Sequence, residues 1–128
     1  MNELRLALLL ALCAPPAFAA DWLLIWSGRH EVLMIDRSSI RREADRAQAW
    51  TMKTFDRRID DGGMPHQSSR SHMVADCRAG RLGFDERIFL AGANATGAVV
   101  RAEKPERVQM AEPATAAEKM VFAMLCAG

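Results

Sequence analysis

Two cysteines, Cys77 and Cys126, and a stretch from Asp60 to Asp76 holding two histidines and three serines are the residues of this chain best equipped for chemistry. A pair of thiols can carry redox chemistry or close a disulfide. Redox work favours a Cys-x-x-Cys spacing, which is absent, and the third cysteine, Cys13, falls in an apolar leader. Cys77 and Cys126 are therefore read as a structural disulfide. His66 and His72 could ligate a metal with Asp60, Asp61 or Asp76, but their spacing matches no compact ligand motif. Ser68, Ser69 and Ser71 lie near both histidines in sequence, which raises a small hydrolase or metal-dependent enzyme as an alternative. A catalytic triad depends on fold geometry, however, and no nucleophile-elbow pattern surrounds any of these serines. They read as a polar loop. No catalytic, metal or cofactor-binding residue is assigned.

Three other groups invite a binding role. Arg37, Arg41, Arg42 and Arg46 form a basic segment with Glu43 and Asp45 mixed in. It could dock an acidic partner, but it reads better as a solvated turn. Trp22, Trp26 and Trp50 could line a groove, yet tryptophans in strands more often fill a core. Asn94-Ala95-Thr96 has the form of a glycosylation acceptor and is discounted, because the leader has a bacterial look.

Compartment follows from that leader. Arg5 gives the positive start, Leu6 to Leu12 the apolar core and Ala17-Phe18-Ala19 a small-x-small cleavage site. Residues 1–19 thus read as a signal peptide and 20–128 as a single mature domain, periplasmic or at the cell surface. Cys13 lacks the small residue expected just before a lipidated cysteine, since Leu12 stands there. The apolar run is broken by Pro15-Pro16 and is too short to span a bilayer, so no integral membrane span is expected. Export places Cys77 and Cys126 where a disulfide persists. Net charge is +1 with both signs interleaved, which gives no global field to steer nucleic acid.

The elements that position these residues are mostly strands. Trp22–Trp26 and Val32–Asp36 are apolar on both faces and joined by a turn, as in a hairpin. Arg46–Asp56 alternates as a third strand. Residues 57–71 read as a long polar loop, His72–Cys77 as a fourth strand, Leu82–Leu90 as a fifth and Ala98–Arg101 as a sixth. Thr115-Ala116-Ala117-Glu118 is a capping box that opens a helix over Ala116–Cys126. Phe122 and Cys126 share a face of that helix, widened by Val121, Met124 and Leu125. The fold expected is α+β: a curved, mostly antiparallel sheet of about six strands, with a C-terminal helix packed on one face and tied by the disulfide.

Trp22, Ile35-Asp36-Arg37-Ser38-Ser39-Ile40-Arg41-Arg42, Trp50, Asp76-Cys77, Gly97-Ala98-Val99-Val100, and Pro113 before a helix ending in Cys126 are the residues by which the chain resembles the bacterial surface-adhesin protein E family. The resemblance implies the same curved sheet and disulfide-held helix, and an exported protein without enzymatic activity. It also implies a protein partner, a host matrix protein or an envelope component. An accessory subunit of a larger periplasmic complex is a further reading. The chain departs from the family in carrying Val108-Gln109-Met110 where an aromatic residue is usual, and in having no tyrosine. A helix can cover only one face of the sheet. The second apolar face then needs the 57–71 loop, a second copy of the chain in a weak homodimer, or a foreign partner.

Overall fold

The computed structural model describes residues 19–127. Residues 1–18 of the leader, Cys13 among them, lie outside the described residues. Strands β1 (Trp22–Ser27) and β2 (Glu31–Asp36) lead into a 3-10 turn over Arg37–Ser39 and a short β3 (Arg41–Glu43). The long strands β4 (Arg46–Asp61), β5 (Met64–Asp76) and β6 (Arg81–Leu90) follow, then β7 (Val99–Glu103) and helix α1 (Ala116–Cys126). All pairings are antiparallel, in the order β1-β2-β4-β5-β6-β7, with β3 also on β4. The sheet is thus a meander in which each long strand pairs with its neighbour in the chain.

β2 and β3 both pair with β4, at Thr51–Phe55 and at Arg46–Gln48. They behave as one strand broken by a corner. The Asp36-Arg37-Ser38-Ser39 piece makes that corner with its own side chains. Asp36 Oδ1 accepts from Ser38 N–H at 3.0 Å, from Ser38 Oγ–H at 2.6 Å and from Asp21 N–H at 2.9 Å. Ser39 Oγ–H donates to the Asp36 carbonyl at 2.7 Å and accepts from Trp50 N–H at 2.9 Å. Backbone groups that leave the ladder at the break are therefore satisfied locally.

The largest departure from the sequence reading is residues 57–71. They form no loop. β4 runs on to Asp61 and β5 starts at Met64, so the segment is the distal half of a hairpin. Gly62 and Gly63 turn it with φ of 60° and 82°, the left-handed pair a tight two-residue hairpin turn requires. The register slips between Thr54 and Ile59, and this bulge takes up the charged Asp56-Arg57-Arg58. Serine-rich composition concealed a strand because small hydroxyl side chains were needed inside it: Ser68, Ser69 and Ser71 are all buried.

α1 lies on one face of the sheet. Ala117, Val121 and Leu125, spaced four apart, form its buried line. Phe122 and Cys126 sit at its shoulder rather than at its centre. The helix packs against Leu33, Ile35, Ala47, Ala49, Met73, Ala75 and Leu82. Alanines at 47, 49 and 75 leave room for a close approach. Thr115 Oγ accepts from Glu118 N–H at 3.1 Å, as the capping box implies.

Candidate binding surfaces on the two faces of the sheet

The disulfide joins Cys77, just past β5, to Cys126 in the last turn of α1, with 5.5 Å between the Cα atoms. It closes 49 residues of chain, a constraint worth about 4 kcal/mol on chain-entropy grounds. A second tie holds the same end. Arg42 donates from Nε to the Leu125 carbonyl at 2.8 Å and from an η nitrogen to the Met124 carbonyl at 2.9 Å. A cation thus satisfies carbonyls left free at the helix C-terminus, where the dipole is negative. One arginine of the basic segment is therefore a helix cap. Arg37 instead grips Asp21 through two bonds of 3.0 Å, and Arg41 holds the carbonyls of Ser38 and Ile40. Three of the four arginines are thus tied to acceptors of the protein itself, so the segment is more than a solvated turn.

The histidines do not converge. His66 is buried, its Nδ1 3.0 Å from the Met64 carbonyl and its ring edge-on to Phe55 and Phe89 at 5.9 and 5.0 Å. His72 lies inside β5, not at a strand start, with Nδ1 2.7 Å from Asp85 Oδ1. Its ring stacks at a tilt on Trp50, centroids 5.1 Å apart. A histidine held by a carboxylate is two-thirds of a nucleophilic triad, but the concavity beside it is lined by Trp50, Asp85, Glu86, Lys104 and Pro105 and holds no hydroxyl or thiol. Asp60 and Asp76 cap turns, accepting from Gly63 N–H and Ala79 N–H. Among the described residues no three histidine, cysteine or acidic side chains group to hold a metal.

The serines divide between the faces. Ser68 Oγ donates to the Gly92 carbonyl at 2.6 Å and accepts from Ala95 N–H at 2.9 Å, while Thr54 Oγ1 accepts from Asn94 N–H at 3.0 Å. The Asn94-Ala95-Thr96 loop is thereby pinned over one end of the face opposite α1. Asn94 and Ala95 adopt φ of 55° and 57° to do so. On the helix face, Ser71 Oγ accepts from Arg87 Nε at 2.9 Å.

Register makes the opposite face explicit. Leu24, Met34, Met52, Arg70, Ile88 and Ala102 are partners in succession across the whole sheet, so they form one row. Trp22 and Trp50 flank it. Arg70 Cζ stands 4.8 Å from the Trp50 ring centroid and 6.0 Å from that of Trp22, and its Nε is buried without a partner. Of the three tryptophans only Trp26 packs on the core. Trp22 and Trp50 are half-buried walls around a cation, an arrangement the sequence reading missed. Alternation puts Trp50 and Met52 on one face, but Arg70 joins them only through the β4–β5 pairing, which the loop reading of residues 57–71 hid. Leu24 at the β1 edge remains 53% exposed, and Val99 at the β7 edge 60%. No helix among the described residues is long and apolar enough to cross a membrane.

A family model described as Surface-adhesin protein E matches residues 22–127. Among solved structures, protein E from non-typeable Haemophilus influenzae is similar over 89% of this chain and 81% of its own, at 16% identity and a TM-score of 0.60. A second crystal form of Haemophilus influenzae protein E aligns over 89% of this chain and 94% of its own, at 15% identity and a TM-score of 0.57. At that identity the likeness is one of fold. No curated protein matches the chain.

Proposed function

Because the chain belongs to the surface-adhesin protein E family, we propose that it is an exported envelope or surface protein that acts by binding protein, without catalysis, through the sheet face opposite α1. The observation that carries this reading is the row from Leu24 to Ala102, which no helix among the described residues covers and which sets Arg70 between two indoles at its centre. Met52 is buried at its centre and Leu24 is exposed at its edge, so the surface offers an apolar rim beside one cation, suited to a partner that brings an aliphatic side chain and an acidic group. The partner class is a host matrix protein or an envelope component. Cleavage after Ala19 belongs to the same proposal.

A second copy of the chain is the other occupant this face favours, because β1 and β7 are the sheet edges among the described residues and carry exposed Leu24 and Val99. Sedimentation across micromolar to near-millimolar concentration reads it: a weak dimer lost on Leu24→Glu is expected, and a strict monomer removes it. For foreign partners, purified matrix proteins are passed over the immobilised mature protein. Binding that Leu24→Glu and Arg70→Gln abolish, with melting temperature retained, supports the face. Binding unchanged in both variants overturns it. Ester or peptide hydrolysis lost on His72→Ala would overturn the non-enzymatic reading.

A further inference from the structure

A cavity of 440 Å³ lies on the helix face, between the N-terminal half of α1 and strands β4, β5 and β6. That volume falls within the range of about 300–1,000 Å³ typical of small-molecule sites. Its apolar wall includes Leu33, Phe55, Phe84 and Phe89. Its charged side chains are Lys53, Arg87 and Glu118.

These charges are not equivalent. Glu118 is occupied by the helix cap: one carboxylate oxygen accepts from Thr115 Oγ at 3.1 Å, and the other faces Ala114 N–H at 3.4 Å. Lys53 stands 3.9 Å from Glu31, at the limit of an ion pair. Arg87 spends only its Nε, on Ser71 Oγ, and lays its guanidinium over Phe84 with Cζ 3.9 Å from the ring centroid. The ion pairs found among the described residues do not include it. Burial lowers its pKa from the ordinary value, against the pull of the Glu103 and Glu118 charges, and it stays cationic. A half-buried cation with its fork unpaired, facing aromatic walls, asks for one anionic head on an apolar body.

We propose that this cavity binds an aliphatic monocarboxylate of medium length, its head on the Arg87 guanidinium and its chain among Leu33, Phe55 and Phe89. The site lies on the opposite side of the sheet from the protein-binding face and does not depend on it. Ser69, buried and lining the cavity between Lys53 and Phe89 in the register, adds a hydroxyl within the polar half.

Calorimetry of the disulfide-bonded mature protein with decanoate, decanol and decyltrimethylammonium tests it. Decanoate is expected to bind in a single site, decanol roughly tenfold or more weakly, and the cation not at all. Arg87→Gln should weaken decanoate by roughly tenfold while leaving decanol as it was, and Arg87→Lys should restore part of the difference. Should Arg87→Gln fail to fold, Ser69→Phe, which fills the cavity, must abolish decanoate binding. No binding of decanoate, equal affinity for the anion and the cation, or full binding in Ser69→Phe each overturns the proposal.

Discussion

The two faces of the sheet use the same strands and bury their side chains by different means. On the helix face, alanines and aliphatic residues close-pack against Val121 and Leu125, and Leu125 and Ile35 have no exposed surface at all. On the opposite face, cover comes from the protein's own polar and aromatic groups: Arg70 between indoles, a loop pinned by Ser68 and Thr54, and a corner tied by Asp36. The first face is held by apolar contact and a covalent bond. The second is held by directed bonds that tolerate an opening at the rim. Among the described residues one α-helix serves two faces of the sheet, so the face it covers carries the apolar packing and the other is closed by side chains of the sheet and its loops.

Breaking the helix face should cost most. Reduction, or the double change Cys77→Ala with Cys126→Ala, should remove about 4 kcal/mol and lower the melting temperature by roughly 15 °C in calorimetry. Leu125→Ala should cost about 3 kcal/mol in urea unfolding, since a fully buried leucine leaves a cavity. Leu24→Ala on the other face should stay within about 0.5 kcal/mol, being half exposed. Equal costs for the two leucines would erase the distinction between the faces. Arg42→Met should cost roughly 1 kcal/mol and fray the last turn of α1, seen as faster amide exchange at Leu125 and Ala127.

The open face should show itself in acid. Burial of Asp36 opposes its ionisation, but bonds from Ser38 and from the Asp21 backbone N–H, with the charge of Arg70, outweigh it and leave the pKa below the usual carboxylate value. A carboxylate depressed in the folded state contributes stability above its unfolded pKa and loses it as pH falls through the folded one. Stability carried by this corner should therefore be present at neutral pH and decline below about pH 4. Asp36→Asn should be less stable at neutral pH and show a shallower acid slope. An identical slope in both proteins would place the acid sensitivity elsewhere.

Much of this contrast could be read from the residues. The antiparallel sheet, the helix from Ala116 to Cys126 with its capping box, and the Cys77–Cys126 bond follow from alternation, capping chemistry and cysteine number. The distal half of the β4–β5 hairpin could not be read that way, because its strand residues are serines and charges. Serine weighs toward loop unless the hydroxyl has a partner, and those partners come from Gly92, Ala95 and Arg87, between 16 and 27 residues away. Arg42 was equally hidden, since its acceptors lie 82 and 83 residues further on. The Ile35–Arg42 signature was legible as a family mark, yet in the structure it works as a strand corner and a helix cap. What looks most characteristic in the sequence here serves folding, and the Trp22–Arg70–Trp50 arrangement on the other face carries no contiguous motif.

The strand-to-helix bond also decides how the protein would carry mechanical load. Tension applied between β1 and the far side of α1 crosses directly from Cys77 to Cys126 and bypasses the residues between them, a sequence separation of 49. Those residues hold roughly 160 Å of contour length that cannot be drawn out while the bond is intact. β6, β7 and almost all of α1 are thereby shielded, and only the meander from β1 to β5 can unzip from its edge. Under shear, a surface domain wired this way would yield its first strands and keep the rest folded. A pulling experiment would record the difference as an added extension that appears only after reduction.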